Sequence, residues 1–358
     1  MKKALVAIIV GFFVSLILSP LIIKIIKMLK SEQNVLEYVE NHKEKNGTLT
    51  LGGLIFIISS GITFFIFNKS NSIMGIVAYA VSVSYGLLGF LDDFIKIKCK
   101  RNMGLRAYQK ALGQIGIALI IAIFAYRFNL IGSEILIPFT NVKFDIGFWI
   151  IPFIVIFYLA VTNSVNLTDG LDGLAGGVSF VVIFSFIPII SMLVTNFENV
   201  GESSVLIDEY KNLMILCGAM CGGLLTFLIL NSNPAKIFMG DTGSLALGGL
   251  IASILTFTRE YFLIFVVGFV FVATVFSSAL QVVWYKITKK RVFKMAPLHH
   301  HFELCGFKET KIVSAYIIVT IILNVLSVVL FMGVWVWIII KMFWFTVMGR
   351  VEKVSKNC

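Results

Sequence analysis

Asn166-Leu-Thr-Asp-Gly-Leu-Asp-Gly173 is a short polar stretch set between two long apolar runs, 147–162 and 174–194. Asn, Asp and Gly are ordinary turn residues, so a capped interhelical turn accounts for the stretch by itself. Its setting adds a second reading. Ionisable groups beside hydrocarbon are costly and usually face a cavity, a partner or an ion. Asp169 and Asp172 are three residues apart, which puts both carboxylates on one side of the turn if the turn is helical.

The same alternation of apolar run and polar island repeats along the chain. Of its 358 residues 58% are hydrophobic and only 14% charged, and the mean hydropathy is +0.96. Uncharged runs of that length read as an all-α polytopic membrane protein rather than a soluble core. We read spans at 4–26, 51–67, 73–95, 111–128, 147–162, 174–194, 212–230, 245–257, 261–285 and 312–334, ten in all. The first run begins like a secretory signal after Lys2 and Lys3. It has no small-x-small cleavage site and continues to Ile26, so it reads as a span. Segment 133–146, with Thr140-Asn141 at its middle, reads as a small β-hairpin outside the bilayer.

The formal net charge of +11 would suggest nucleic acid in a soluble protein. Here the bases cluster in loops between apolar runs, which fits membrane orientation and attraction of anionic membrane lipid or phosphate, and no nucleic-acid partner is expected. The odd-numbered loops hold most of the lysines, whereas loop 195–211 carries Glu198, Glu202, Asp208 and Glu209. The odd loops therefore read as cytoplasmic. The five cysteines show no zinc spacing. One integral membrane domain over 1–358 is expected, with cytoplasmic loops near 29–50, 96–110, 163–173, 231–244 and 286–311 and an extension after residue 334.

Every unusual polar cluster falls in one of those loops or at its edge. Leu91-Asp92-Asp93-Phe94 closes the third span; adjacent acids on a helix point about 100° apart and need not share a role. Asn231 to Ser244 contains Lys236, Phe238, Gly240, Asp241 and Gly243, whose glycines, amides and hydroxyls suit phosphate or a nucleotide. Phe238 is placed either to stack on a base or, as one of 33 phenylalanines, to face lipid or core. Pro297-Leu-His299-His300-His301-Phe-Glu303 holds three of the four histidines, suited to donating hydrogen bonds to a developing anion. Consecutive imidazoles rarely reach one zinc ion. Magnesium takes one or two carboxylates plus substrate phosphates. The inventory therefore points to phosphoryl transfer at a membrane surface.

Gly89-Phe-Leu-Asp-Asp93, Asn166–Gly173, Phe238-Met-Gly-Asp241 and Pro297-Leu-His-His-His-Phe-Glu303 together resemble the signature set of the polyprenyl-phosphate N-acetylhexosamine-1-phosphate transferases. The histidine string resembles the phospho-N-acetylmuramoyl-pentapeptide transferase branch. That resemblance implies transfer of phospho-MurNAc-pentapeptide from its UDP carrier to undecaprenyl phosphate, giving lipid I and UMP in peptidoglycan synthesis. It implies a Mg²⁺-dependent, ten-span enzyme, commonly a homodimer, in the bacterial cytoplasmic membrane with its site on the cytoplasmic face. By the same resemblance Asp241 is the metal ligand. Asp92 and Asp93 serve the polyprenyl phosphate, one of them a candidate base, and Asn166, Asp169 and Asp172 line the nucleotide-sugar site. Phe238 stacks on uracil, Asn231, Lys45, Thr50 and Lys110 meet phosphate or nucleotide, and His299, His300 and His301 complete the catalytic face. Leu49 stands where the family usually carries proline. The rival readings are a sister transferase using UDP-GlcNAc and a cation-coupled transporter, which would carry its acids at mid-span.

Overall fold

A computed structural model describes residues 1–29, 48–68, 72–99, 103–140 and 142–333. The chain is a bundle of helices: α1 Lys2–Met28, α2 Gly53–Phe67, α3 Ile73–Cys99, α4 Ala107–Arg127, α5 Ile150–Thr168, α6 Leu174–Val200, α7 Ser204–Asn231, α8 Gly240–Phe257, α9 Ile264–Val267, α10 Phe269–Thr288, α11 Leu298–Leu304 and α12 Glu309–Phe331. Among the described residues nine helices are long and apolar enough to cross a membrane, and α2, at 15 residues, is a shorter apolar helix. Large apolar side chains stand open on the outer helices: Ile17 is 74% exposed, Ile120 73% and Ile287 75%. A water-soluble bundle does not tolerate such a surface, and a lipid-embedded one requires it. This is a multi-pass membrane protein.

α7 and α8 form the inner layer. α7 packs against α1, α2 and α6, and α8 against α3 and α5. α8 is the least apolar of the spans and the most enclosed. Its run Gly240-Asp-Thr-Gly-Ser-Leu-Ala-Leu-Gly-Gly explains why. Lipid gives no hydrophobic drive between helices, so small residues that let backbones approach are what hold a central helix in place. Polar side chains inside the bundle are satisfied locally, as where Ser82 Oγ donates to the Ala246 carbonyl and Tyr158 OH to Ser253 Oγ.

The hairpin is present as β1 Glu134–Leu136 and β2 Lys143–Asp145, antiparallel with Ile135 opposite Phe144. The single ninth span expected over 261–285 is broken. A 3₁₀ turn Tyr261–Leu263 and the four-residue α9 precede α10, with the break at Gly268. Asn324 of α12 donates its amide to the Val267 carbonyl beside the break, and Ser185 of α6 donates to Asn324 Oδ1. A broken helix survives at membrane depth only when its freed backbone groups find such partners. Loop 195–211 is also shorter than expected, because α6 and α7 run through it and only 201–203 connect them. Lys45 and the extension after residue 334 lie outside the described residues.

Candidate active site

The site forms where the C-terminal turns of α3 meet the first turn of α8. The two helices come together at Gly89, where any side chain would run into the Asp241 carbonyl oxygen. Gly240 is the second necessary glycine. Its φ is +68°, and a Cβ there would lie 2.5 Å from Asp93 Oδ2 and 2.7 Å from Thr50 Oγ1. Thr50 is buried at this point, on the segment whose Leu49 carbonyl accepts the Phe238 N–H at 2.7 Å.

This junction brings Asp92, Asp93 and Asp241 together, with one oxygen of each within 4.8 Å of the others. Asp92 and Asp93 are each 3% exposed. Asp93 Oδ2 accepts from the Thr242 amide at 2.9 Å and its hydroxyl at 2.8 Å, and Asp92 Oδ1 accepts from the Leu105 amide at 2.7 Å. Lys96 Nζ lies in their midst, 2.6 Å from Asp92 Oδ2, 3.4 Å from Asp93 Oδ1 and 2.7 Å from Asp241 Oδ2. Lys110 Nζ of α4 reaches the same Asp241 oxygen at 3.0 Å. Asn166 of α5 donates to Asp241 Oδ1 at 2.6 Å and is also 2.8 Å from Ser244 Oγ. Three carboxylates thus face two ammonium groups, which leaves one negative charge uncompensated within the cluster. All the ligand atoms on offer are hard oxygens, and an ammonium already stands among them as a cation of the protein's own. A hard divalent ion such as magnesium suits that donor set.

The turn after α5 divides its two acids. Asp169 is partly buried. Burial, with the negative charges of Asp241 and Asp93, pushes its carboxyl up to about 8. Asp172 points elsewhere: its Oδ2 accepts from Asn233 Nδ2 at 3.1 Å and the Ala235 amide at 3.0 Å. Asn231 is 2% exposed and joins the same two loops, accepting from the Gly173 amide and donating to the Ile237 carbonyl. Asp172 and Asn231 thus tie the 169–173 turn to the 231–237 loop through these side-chain bonds. The Phe238 ring is partly exposed, on a backbone fastened at both its N–H and its carbonyl.

The three histidines also separate. His299 on α11 is wholly buried, and neither ring nitrogen has a partner. Burial, with His300 beside it, pulls its pKa down to about 3, so it is neutral. A side chain at Gly170 would strike His299 Nε2, and His300 Nε2 would lie 3.0 Å away, so both rings close over the 169–173 turn. His300 Nδ1 pairs with Glu303 Oε2 at 2.5 Å. His301 faces the other way: its Nδ1 accepts the Lys294 amide at 3.1 Å, and its ring packs on Phe293. Gln281 of α10 holds the same loop through the Val292 and Phe293 amides. The sequence reading passed over Lys96, Gln281 and Glu309. For Lys96 a signal existed, since it follows Asp92 by four residues and Asp93 by three on one helix.

Residues 73–259 match the family described as glycosyl transferase family 4. The chain is 42% identical over 324 residues to the phospho-N-acetylmuramoyl-pentapeptide-transferase of Clostridium novyi (strain NT), covering 90% of this chain and 95% of that one. To the protein of the same name in Thermoanaerobacter sp. (strain X514) it is 42% identical over 328 residues, 91% and 98% of the two chains. To that of Desulfitobacterium hafniense (strain DSM 10664 / DCB-2) it is 37% identical over 334 residues, 93% and 98%.

Proposed function

The chain belongs to glycosyl transferase family 4 and, within it, to the phospho-N-acetylmuramoyl-pentapeptide transferases, and from the site's geometry we propose how it performs that reaction. Phospho-MurNAc-pentapeptide passes from UDP-MurNAc-pentapeptide to undecaprenyl phosphate in peptidoglycan synthesis. A lipid phosphate oxygen forms a bond to the β-phosphorus. The bond from that phosphorus to the bridging oxygen breaks, and UMP leaves with the electron pair. The attacking phosphate monoester is largely dianionic near pH 7, so little is asked of a base.

Asp241, with Asp92 and Asp93, would hold a magnesium ion, which when bound neutralises charge on the diphosphate and on the leaving UMP. The chain's own residues do the rest. Asn166 fixes the Asp241 carboxylate through Oδ1. Lys110 and Lys96 bring two positive charges to the same point, where they would meet substrate phosphates. Thr242 orients Asp93 with two hydrogen bonds. Asp169, whose carboxyl is pushed up by burial and by the charges of Asp241 and Asp93, would when protonated donate a hydrogen bond to a substrate oxygen. His300 donates its Nδ1–H to Glu303, so in the neutral ring Nε2 faces the 169–173 turn beside neutral His299 as an acceptor for a hydroxyl or amide of the nucleotide sugar. The partly exposed Phe238 ring offers a face to uracil, and Asp172, Asn231 and Thr50 shape the loops around it.

The basic loops support a reading in which this face is turned toward the cytoplasm of a bacterial membrane. The homodimer implied by the family resemblance belongs to the same proposal. The observation that carries the reading is the meeting of three carboxylates with Lys96, Lys110 and Asn166 at one end of α3 and α8. A transporter needs its acids along a path through the bundle; these are gathered at its edge. The test is UMP release by detergent-purified protein given undecaprenyl phosphate and either UDP-MurNAc-pentapeptide or UDP-GlcNAc. Release with the first sugar nucleotide alone is expected. Release with UDP-GlcNAc instead would assign the site to a sister transferase, and no release from folded protein would end the reading.

A further inference from the structure

Glu309 opens α12 and belongs to none of the motifs quoted from the sequence. Its Oε1 accepts the Asp172 amide N–H at 2.6 Å, and its Oε2 accepts from Asn233 Nδ2 at 3.3 Å. Asn233 Nδ2 also donates to Asp172 Oδ2 at 3.1 Å, and the Ala235 amide completes that carboxylate at 3.0 Å. Three segments far apart in sequence thus meet at a pair of carboxylates sharing one side-chain amide. An acid that merely caps its own helix would spend its oxygens on the first amides of α12. These Glu309 bonds go to two other segments.

Each segment leads to chemistry. The 169–173 turn carries Asp169, and its Gly170 lies under His299 and His300. The 231–237 loop leads directly into Phe238 and Asp241. α12 follows α11 after four residues, a link tightened by the Gly306 amide on the Glu303 carbonyl and the Phe307 amide on Phe302. A shift at Glu309 therefore changes how the histidine helix sits over the turn and over the loop that delivers Phe238.

We propose that Glu309 is a positioning residue for the transfer, the bolt that sets the nucleotide-sugar half of the site in register. It acts through Asp172 and Asn233 and touches no reacting atom. The proposal rests on the reaction given above. Its test uses full-length enzyme in detergent, comparing wild type with Glu309→Ala, Glu309→Gln, Asn233→Ala and the Ala/Ala double variant. Glu309→Ala is expected to raise KM for UDP-MurNAc-pentapeptide by about tenfold or more, the scale a misplaced positioning group costs, with KM for undecaprenyl phosphate nearly unchanged. Glu309→Gln keeps an acceptor for the Asp172 amide and is expected to stay within about threefold of wild type. The two alanine substitutions should be non-additive, as for partners in one network.

A merely structural role would reduce the amount of active enzyme and leave both KM values alone; that result overturns the proposal. Hydrogen exchange separates the bolt from the identity of the substrate, because it needs no turnover. Glu309→Ala should speed exchange over 169–174 and 232–237 and spare the interior of α7. Unchanged exchange in both segments would also overturn the proposal, whatever the wild-type activity. Should Glu309→Ala fail to fold, Asn233→Ala carries the same two measurements.

Discussion

The two ends of α3 hold buried carboxylates in opposite ways. At its start, Glu209 of α7 receives Ser72 Oγ at 2.6 Å, the Ile73 amide at 2.9 Å and the Met74 amide at 2.8 Å. A single acid meets the free amides of a helix N-terminus, where the peptide dipoles favour negative charge. At the other end Asp92 and Asp93 crowd against Asp241, with Lys96 shared among all three. The first end uses donors to satisfy one charge. The second gathers more negative charge than its two lysines offset, and like charges brought together out of water cost stability unless something else binds. A buried acid is therefore no sign of a site in itself. An excess of them around shared cations is.

That contrast can be broken by substitution, and the largest effect should come from Asp241. Asp241→Asn is expected to lower UMP release by about 10³-fold or more, as loss of a metal-held charge at a phosphoryl centre does. Its thermal unfolding should also fall, because Lys96, Lys110 and Asn166 lose the carboxylate they share. Asp92→Asn and Asp93→Asn should each cost about 10²-fold in kcat but, unlike Asp241→Asn, spare stability, because each relieves like-charge repulsion. Glu209→Ala should behave in the opposite way. It strands donors at the start of α3 and should cost about 2–4 kcal/mol of stability, with activity per folded molecule unchanged. Unfolding curves in detergent beside kinetics on the folded fraction check all four variants.

A separate effect lies in the pH dependence of stability. Asp169 binds its proton in the folded protein up to about pH 8 and in the unfolded chain only to about pH 4. Folding therefore takes up a proton between those values, and the stability tied to Asp169 falls as pH rises from about 4 to about 8. Asp169→Asn should flatten the slope in that window. Unfolding temperatures measured across it in both proteins, with magnesium absent, decide the point; parallel curves would contradict it.

Much of this was legible in the chain. Long uncharged runs announce spans because hydrocarbon forbids unpaired backbone groups, and the Thr140-Asn141 turn announced a hairpin. The break at Gly268 was not legible, since the Val266-Val267-Gly268-Phe269 run is apolar throughout and its repair by Asn324 is a contact 57 residues away. The acids of the site stood out as polar islands in an apolar chain. Their partition did not. Asp169 and Asp172 look equivalent in sequence, and what separates them is Asn233, Ala235 and Glu309 arriving from other segments. The three histidines are consecutive, and only the short turn of α11 sends His301 away from the other two. Residue type and spacing point to the candidate residues; how each side chain is held is decided by packing.

The most direct measurement is UMP release against magnesium concentration for wild type, Asp241→Asn and Glu209→Gln, normalised to folded protein. Wild type and Glu209→Gln should trace one magnesium-dependent curve while Asp241→Asn stays at background at every concentration. Magnesium-dependent release by Asp241→Asn, or its loss in Glu209→Gln, would contradict the assignment of metal and catalysis to the charge-rich end of α3.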